Sequence, residues 1–309
     1  MTKLIIFLAK ATGLGESDVR SIVSRAPKSY KHYHIDKRTI GKRLISQPAR
    51  EVKALQRALV RGLVSLPIHD AAMAYRTGLS IRDNAAKHAS NGPIMKFDFK
   101  GFFPSIRARD WRHYCRINGV FSNDEDVLIS SMILFHKAPK LPGLRLAVGA
   151  PSSPWLSNVL MFEFDNLISE LVSKDKVVYT RYADDLTFSA RRTGYLTKVD
   201  RQLRYVVKSI NSPALTINEE KTVIATKKFR RVVTGLVLAD DGRVTIGRDR
   251  KREIRASLHH ALAGRMTAED CQRLIGLLAF VHDVEPAFLI KLQDHYGLDF
   301  LDKLRQTAA

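Results

Sequence analysis

The spacing of apolar positions changes several times along the chain, and each change marks an element. Across residues 50–66, Val52, Leu55, Leu59 and Leu63 recur at helical spacing, with Lys53, Arg57 and Arg61 on another face. Before that helix, short helices are expected to lead into a basic extended stretch, Tyr30–Arg43, in which aromatic residues interleave with Lys, His and Arg. Ile94–Phe99 alternates as a strand, with Met95, Phe97 and Phe99 on one side and Lys96 and Asp98 on the other. Ser153-Pro154 opens a helix expected over residues 154–172, because proline suits a first turn. Val177–Tyr182 and Leu186–Ala190 are β-rich runs around Ala183-Asp184-Asp185, which predicts a hairpin with acids in its turn. Short strands are expected around Thr222–Ala225 and Val232–Leu238. Helical spacing then resumes from Gly247, through Ile254, Leu258 and Leu262, Leu274–Val281 and Phe288–Leu304. The pattern is therefore mixed α+β to about residue 240 and helical afterwards.

Composition adds a partner class. Of 309 residues, 51 are Lys or Arg and 31 Asp or Glu, a formal net charge of +20. Such a surplus repels itself unless a polyanion neutralises it, and nucleic acid is the commonest polyanion. The apolar fraction of 45% is that of a folded globular chain and excludes a disordered or fibrous one. The run Leu4–Ala9 is too short to cross a bilayer or to act as a secretory core, so no membrane partner and a cytoplasmic location are expected. Cys115 and Cys271 are too few for a disulfide framework, which fits a reducing compartment.

The candidate chemistry lies in three acids: Asp98 at the end of one strand and Asp184-Asp185 in a separate hairpin. An Asp-Asp pair alone often just makes a turn. Three clustered carboxylates beside buried strands would instead repel one another and attract hard divalent cations, chiefly Mg²⁺. Other blocks surround them in order: Asn84-Ala85-Ala86-Lys87-His88, Phe97-Asp98-Phe99-Lys100-Gly101-Phe102-Phe103, Gly149-Ala150-Pro151-Ser152-Ser153-Pro154 with Asn158, and Tyr182-Ala183-Asp184-Asp185. Lys221 after Ile217-Asn218 and then Val233-Thr234-Gly235 complete the series. The series resembles the palm of reverse transcriptases. Within that family it is most similar to bacterial retron reverse transcriptases, whose N-A-x-x-H and V-T-G signatures fit Asn84–His88 and Val233–Gly235.

The resemblance implies an α+β right-hand polymerase, with fingers over 1–95 and part of 110–150, palm over 96–240 and helical thumb over 241–309. It implies an RNA-directed DNA polymerase using dNTPs and two Mg²⁺ ions. Asp98 and Asp184 would hold both ions, Asp185 would complete the cluster, and the Phe99 carbonyl would be a further ligand. Phe103 falls at the family's sugar gate, where a flat ring leaves no room for a 2′-hydroxyl; the residues alone equally allow a core aromatic. Lys42 and Arg43, with Lys37 and Arg38 as rivals, would meet the triphosphate, and Lys221 matches the lysine of a later palm motif. Leu146-Ala147-Val148-Gly149 departs from the usual L-P-Q-G, so Val148 lacks the glutamine amide at the nucleotide-binding position it shares with Gly149.

Nucleic-acid contact is expected from Lys227, Lys228, Arg230 and Arg231, from Thr234 and Gly235, and from Arg248, Arg252 and Arg255 on the first thumb helix. Asn84 and His88 would face RNA by resemblance, while their chemistry also allows a helix cap and a buried imidazole bond. The retron likeness further implies a cognate structured non-coding RNA, a branched RNA–DNA product (msDNA), an effector protein encoded nearby and a role in antiphage defence. Two other readings stay open: a catalytically weak RNA–DNA-binding scaffold, and a group II intron-like reverse transcriptase, which would ordinarily carry a longer chain.

Overall fold

The computed structural model describes residues 2–37 and 41–308, so Arg38 lies outside the described residues. Helices α1 (Lys3–Thr12) and α2 (Glu16–Arg25) precede the hairpin of β1 (Tyr30–Asp36) and β2 (Lys42–Pro48), in which Tyr30 pairs with Pro48 and Asp36 with Lys42. Helix α3 (Arg50–Gly62) buries Val52, Leu55 and Leu59 and ends at Gly62, a poor helix former, short of the expected residue 66. Helix α4 (Ile81–Ala89) begins with a capping box of Ser80 and Asp83. Then come β3 (Ile94–Asp98), α5 (Phe102–Ser105), α6 (Ala108–Ile117), α7 (Asp124–Leu134), β4 (His136–Lys137) and β5 (Leu144–Arg145). The next stretch holds α8 (Ser153–Leu160), α9 (Phe162–Ser173), β6 (Val178–Tyr182), β7 (Asp185–Ser189) and α10 (Val199–Ser209). The remainder is β8 (Val223–Ala225), β9 (Arg231–Val233), β10 (Leu236–Leu238), β11 (Val244–Thr245), α11 (Arg248–Leu262), α12 (Ala268–Val284), α13 (Pro286–Tyr296) and α14 (Phe300–Ala308).

Three expected elements are divided. The helix expected over 154–172 breaks at buried Met161 (φ −90°, ψ 1°), a one-residue departure that apolar spacing does not register. The strand expected at Val232–Leu238 folds back on itself as β9 and β10. Thr234 (φ 48°) and Gly235 (φ 81°) are both left-handed, the requirement of a two-residue hairpin turn, and Leu236 pairs with Val233. The run Phe288–Leu304 breaks at Gly297 (φ 92°) into α13 and α14.

The contacts divide the chain into two compact units. The first comprises Met1–Leu79, Met95–Phe188 and Tyr195–Val223. Its central sheet runs in the order β6-β7-β3, and the next strand, β8, begins at Val223, the last residue of this unit. Tyr179 stacks on Phe188 at 4.9 Å and Phe97 meets Phe188 edge-on at 5.8 Å, so the strands carrying the candidate acids are fixed by aromatic packing. The second unit comprises Ser80–Ile94, Ser189–Gly194 and Ile224–Ala309. Its core joins Ala85 and Ala89 of α4, Val233, Leu236 and Leu238 of the small sheet, and Ile254, Leu258, Leu274, Leu278 and Phe288 of the helices.

Candidate active site

Strand β3 ends in Asp98, which is only 5% exposed. A carboxylate so placed needs partners, and the segment before β8 supplies them. Lys221 Nζ donates to Asp98 Oδ2 at 2.9 Å and Asn218 Nδ2 to Oδ1 at 3.3 Å. The backbones hold that segment in place: Asn218 N–H donates to the Asp98 carbonyl at 2.7 Å and Lys100 N–H to that of Thr216 at 2.9 Å. The β6–β7 turn comes in from the other side, where Phe99 N–H donates to the Asp184 carbonyl at 3.2 Å. Ala183, the residue before the acid pair, is left-handed at φ 58°.

The three acids are thereby brought together. Burial, then the charge of Asp98, pushes Asp184 up to about 6, and burial, with the charge of Asp98, likewise raises Asp185. The Lys221 ammonium is raised by its hydrogen bond to Asp98. Three carboxyls facing the ammonium groups of Lys221 and, at Asp185, Lys96 leave a surplus of hard oxygen donors, which suits Mg²⁺ in donor chemistry. Among the described residues, no group of three or more His, Cys, Asp or Glu side chains stands in a metal-holding arrangement.

In the same unit, Arg43 of β2, Lys53 and Arg57 of α3, Tyr75, Phe103 of α5 and residues 147–151 line a cavity of ≈ 430 Å³. The expected nucleotide residues Arg43, Phe103, Val148 and Gly149 all meet here. Lys42 is exposed on β2 outside the lining, and Lys221 stands at Asp98 instead. Phe103 is half-buried at the cavity wall, while Phe99 and Phe102 are buried in the core. Gly149 is left-handed (φ 116°), and a Cβ there would lie 3.0 Å from Ile45 Cγ2 and 3.2 Å from the Ser46 carbonyl. Strand β2 is held at this distance by Ser46 N–H donating to the Val148 carbonyl at 2.8 Å.

Sequence reasoning missed Tyr75. Its ring lies 6.4 Å from that of Phe103, and its hydroxyl is pushed up by partial burial and by the charge of Asp184. It therefore lines the cavity within range of the Asp184 charge. No periodicity marks it, because it sits at φ 61° in a loop, where a tyrosine is unexpected. Lys53 and Arg57, by contrast, were visible as a basic stripe.

The remaining expected contacts divide by exposure. Lys227, Lys228, Arg230, Arg248, Arg252 and Arg255 are exposed, with Arg230 ion-paired to Asp249 at 2.9 Å and Arg255 over the Phe288 ring at 5.1 Å. Arg231 corrects the expectation. It is 1% exposed, and its guanidinium donates to the carbonyls of Asn91, Gly92 (2.9 Å), Leu238 (3.2 Å) and Ala239 (3.0 Å), so it clamps backbone and reaches no phosphate. Thr234 donates to the Ile81 carbonyl at 2.9 Å and pins its turn to α4, while Gly235 is exposed.

Asn84 and His88 are also interior, at 1% and 0% exposure, contrary to an RNA-facing role. Ser80, not Asn84, caps α4. His88 Nδ1 shares a 2.7 Å hydrogen bond with Ser189 Oγ, which also accepts from Asn91 Nδ2 at 2.7 Å. His88→Ala should therefore cost about 1–3 kcal/mol and lower the melting temperature by several degrees. Extension of a generic primer and initiation on a structured RNA should fall together. Loss confined to the structured RNA, at unchanged melting temperature, would return His88 to an RNA-binding role.

With this geometry in place, comparison with known proteins is direct. Residues 35–253 match the reverse transcriptase (RNA-dependent DNA polymerase) family, and the chain belongs to it. It is 35% identical over 286 residues to Retron Ec83 reverse transcriptase of Escherichia coli, covering 92% of each chain. It is also 33% identical over 309 residues to Retron Ec86 reverse transcriptase of the same organism, covering 96% of this chain and 92% of that one. The chain is thus a retron-type reverse transcriptase, an RNA-directed DNA polymerase by family. Among solved structures, apo telomerase from Candida tropicalis aligns over 90% of this chain with a TM-score of 0.50 at 12% identity. This chain spans about three fifths of that one (61%), and the likeness bears on the right-hand polymerase fold alone. No helix among the described residues is long and apolar enough to cross a membrane.

Proposed function

We propose that Asp98, Asp184 and Asp185 are the catalytic acids of DNA synthesis and that the adjoining cavity receives the dNTP. The observation that carries this is their convergence around Lys221, with the cavity walled by Tyr75 and Phe103 within range of the Asp184 charge. Two Mg²⁺ ions held by Asp98 and Asp184, with Asp185 and the Phe99 carbonyl beside them, would stabilise the charge on the attacking and leaving oxygens. The primer hydroxyl forms a bond to the α-phosphorus as the bond to pyrophosphate breaks. Arg43, with Lys53 and Arg57 nearby, neutralises the triphosphate, its planar fork suiting phosphate oxygens. Lys42 extends that cationic rim from the exposed face of β2.

Phe103 sets sugar choice in this reading. Phe103→Ala should admit ribonucleotides, shifting the rNTP/dNTP efficiency ratio by roughly 10²-fold, since each ~1.4 kcal/mol is a factor of ten. Equal falls in both efficiencies would make the ring a packing residue. The basic residues Lys227, Lys228, Arg230, Arg248, Arg252 and Arg255, with Gly235 exposed beside them, are read as the nucleic-acid face of the second unit.

The finer biological reading rests on the retron likeness. The chain copies part of a structured non-coding RNA encoded beside it, primes from a 2′-hydroxyl of that RNA, and gives a branched RNA–DNA product that acts with an effector protein against phage. The test is to incubate the purified chain with RNA transcribed from the inverted repeat flanking its gene, with dNTPs and Mg²⁺. The expected product is DNA that stays joined to RNA after denaturation and shortens by only the RNA part on ribonuclease treatment. DNA made only from added primers would leave a polymerase without retron initiation.

A further inference from the structure

A buried polar chain stands directly behind the Tyr182–Asp185 turn. Arg181 and Asp165 have fully buried side chains. The guanidinium meets the carboxylate through Nη2 (2.6 Å to Oδ2) and Nε (2.9 Å to Oδ1), and Tyr179 OH donates to Oδ1 at 2.8 Å. The two hydrogens of Nη1 point elsewhere: to Asn158 Oδ1 at 3.1 Å and to the Ala183 carbonyl at 3.2 Å. Asn158 Nδ2 in turn donates to the Ala74 carbonyl at 2.8 Å. Two residues with side chains in the left-handed region, Ala183 (φ 58°) and Tyr75 (φ 61°), thus sit at or beside the two carbonyls this chain holds. A Cβ disfavours that backbone conformation, so each needs an external hold.

We infer that the Asp165–Arg181–Asn158 chain is a positioning device that sets the Ala183 turn, and with it Asp184 and Asp185, in register with the Tyr75 wall of the nucleotide cavity. The inference rests on the reading of those acids given above. Three features favour positioning over bulk stability. Buried ion pairs are often matched in stability by apolar residues of the same volume, so stability alone does not account for one here. The planar guanidinium grips Asp165 through Nε and Nη2 and still has both Nη1 hydrogens for Asn158 and Ala183, more than the three donors on a single lysine nitrogen can span. The backbone repeats the link, with Arg181 N–H donating to the Ala71 carbonyl at 2.7 Å and Met73 N–H to the Arg181 carbonyl at 2.8 Å. The strand behind the acids and the segment leading to Tyr75 are therefore tied twice.

The test compares Arg181→Lys, which keeps the charge facing Asp165, with Asn158→Ala, which leaves the Arg181–Asp165 pair whole. Each is made in the natural chain and with Ala183→Gly added. A small misplacement of the acids should lower kcat for primer extension by about 10²-fold in Arg181→Lys, with hybrid affinity unchanged. Amide exchange in the peptide holding Tyr182–Asp185 should accelerate, and Mn²⁺ affinity measured by calorimetry without substrate should fall. Asn158→Ala should additionally raise KM for dNTP, because it frees the Ala74 carbonyl next to Tyr75. Glycine takes the left-handed turn without a hold, so Ala183→Gly should recover part of the activity lost in Arg181→Lys. The role is overturned if both variants lose activity only in proportion to unfolded protein, with exchange at the turn and Mn²⁺ affinity unmoved, or if Ala183→Gly restores nothing. Failure of the underlying reading looks different: Asp184→Asn, run alongside, would then extend primers like the natural chain.

Discussion

Asp184→Asn should lower primer extension by about three orders of magnitude and leave RNA–DNA hybrid binding close to that of the natural chain, because the lost electrostatic stabilisation of the reacting oxygens is worth several kcal/mol. In the proposed mechanism the carboxylate acts at the reacting centre, whereas cations elsewhere meet the phosphates. Asp185→Asn should behave alike, since it feels the charge of Asp98 in the same cluster. The substitution at 184 should also stabilise the fold, and the sign follows from the pKa. Burial and the charge of Asp98 move Asp184 from 3.8 to about 6, so the native state holds that proton more tightly than the unfolded chain. Between about pH 4 and 6 the native state binds the extra proton, and stability declines as pH rises through that window. Above it the ionised carboxylate carries the full cost, no more than about 3 kcal/mol at ~1.4 kcal/mol per unit. Asparagine removes that cost, so the gain in melting temperature should be present at pH 8 and shrink as pH falls toward 4. Extension assays, gel shifts and melts on one preparation decide the matter. A variant that extends normally removes the acids from the chemistry; one that is inactive and melts earlier has lost its fold instead.

The acids, the hairpin that carries two of them and the strand that carries the third were legible because each is a short local pattern. So were four residues of the cavity wall, Arg43, Phe103, Val148 and Gly149, though not Tyr75. Direction was harder to read. Arg230 and Arg231 are neighbours in one basic run, yet one is exposed and the other is 1% exposed, its donors taken by four backbone carbonyls. Strand alternation decides which is which, and composition carries no information on where a three-residue strand such as β9 begins. Asn84 and His88 lie one helical turn apart with Ala85 and Ala89, the face of α4 that enters the second unit's core. A shared signature flags them as constrained residues without saying that the constraint is packing. Tyr75, Asp165 and Arg181 had no local signal, and Asn158 was visible as a motif residue without its partners, because those partners are brought together only by tertiary structure.

The steepest dependence on conditions should come from salt. A chain with 51 Lys and Arg against 31 Asp and Glu binds a polyanion largely by displacing its counterions. Exposed cations are available in both units: Arg57 and Arg43 beside the cavity, with half-buried Lys53, and Lys227, Lys228, Arg230, Arg248, Arg252 and Arg255 in the second unit. The Arg230–Asp249 pair is exposed on both sides, and such pairs are weak enough for phosphate to displace the carboxylate. With roughly 6–10 phosphates engaged, affinity for an RNA–DNA hybrid should fall by about 10³–10⁵ between about 50 and 200 mM salt. Position should matter more than charge. Removing Arg252 or Lys228 should reduce the slope of log affinity against log salt by about one each, roughly equally for all sequences. Arg231→Gln should leave the slope unchanged while lowering the melting temperature, because its guanidinium is spent on Asn91, Gly92, Leu238 and Ala239. Fluorescence anisotropy with a labelled hybrid, titrated at several salt concentrations, measures all three. A flat dependence would place the cationic surface away from the nucleic acid, and an equal change of slope for Arg231 and Arg252 would mean that the clamp opens to reach phosphate.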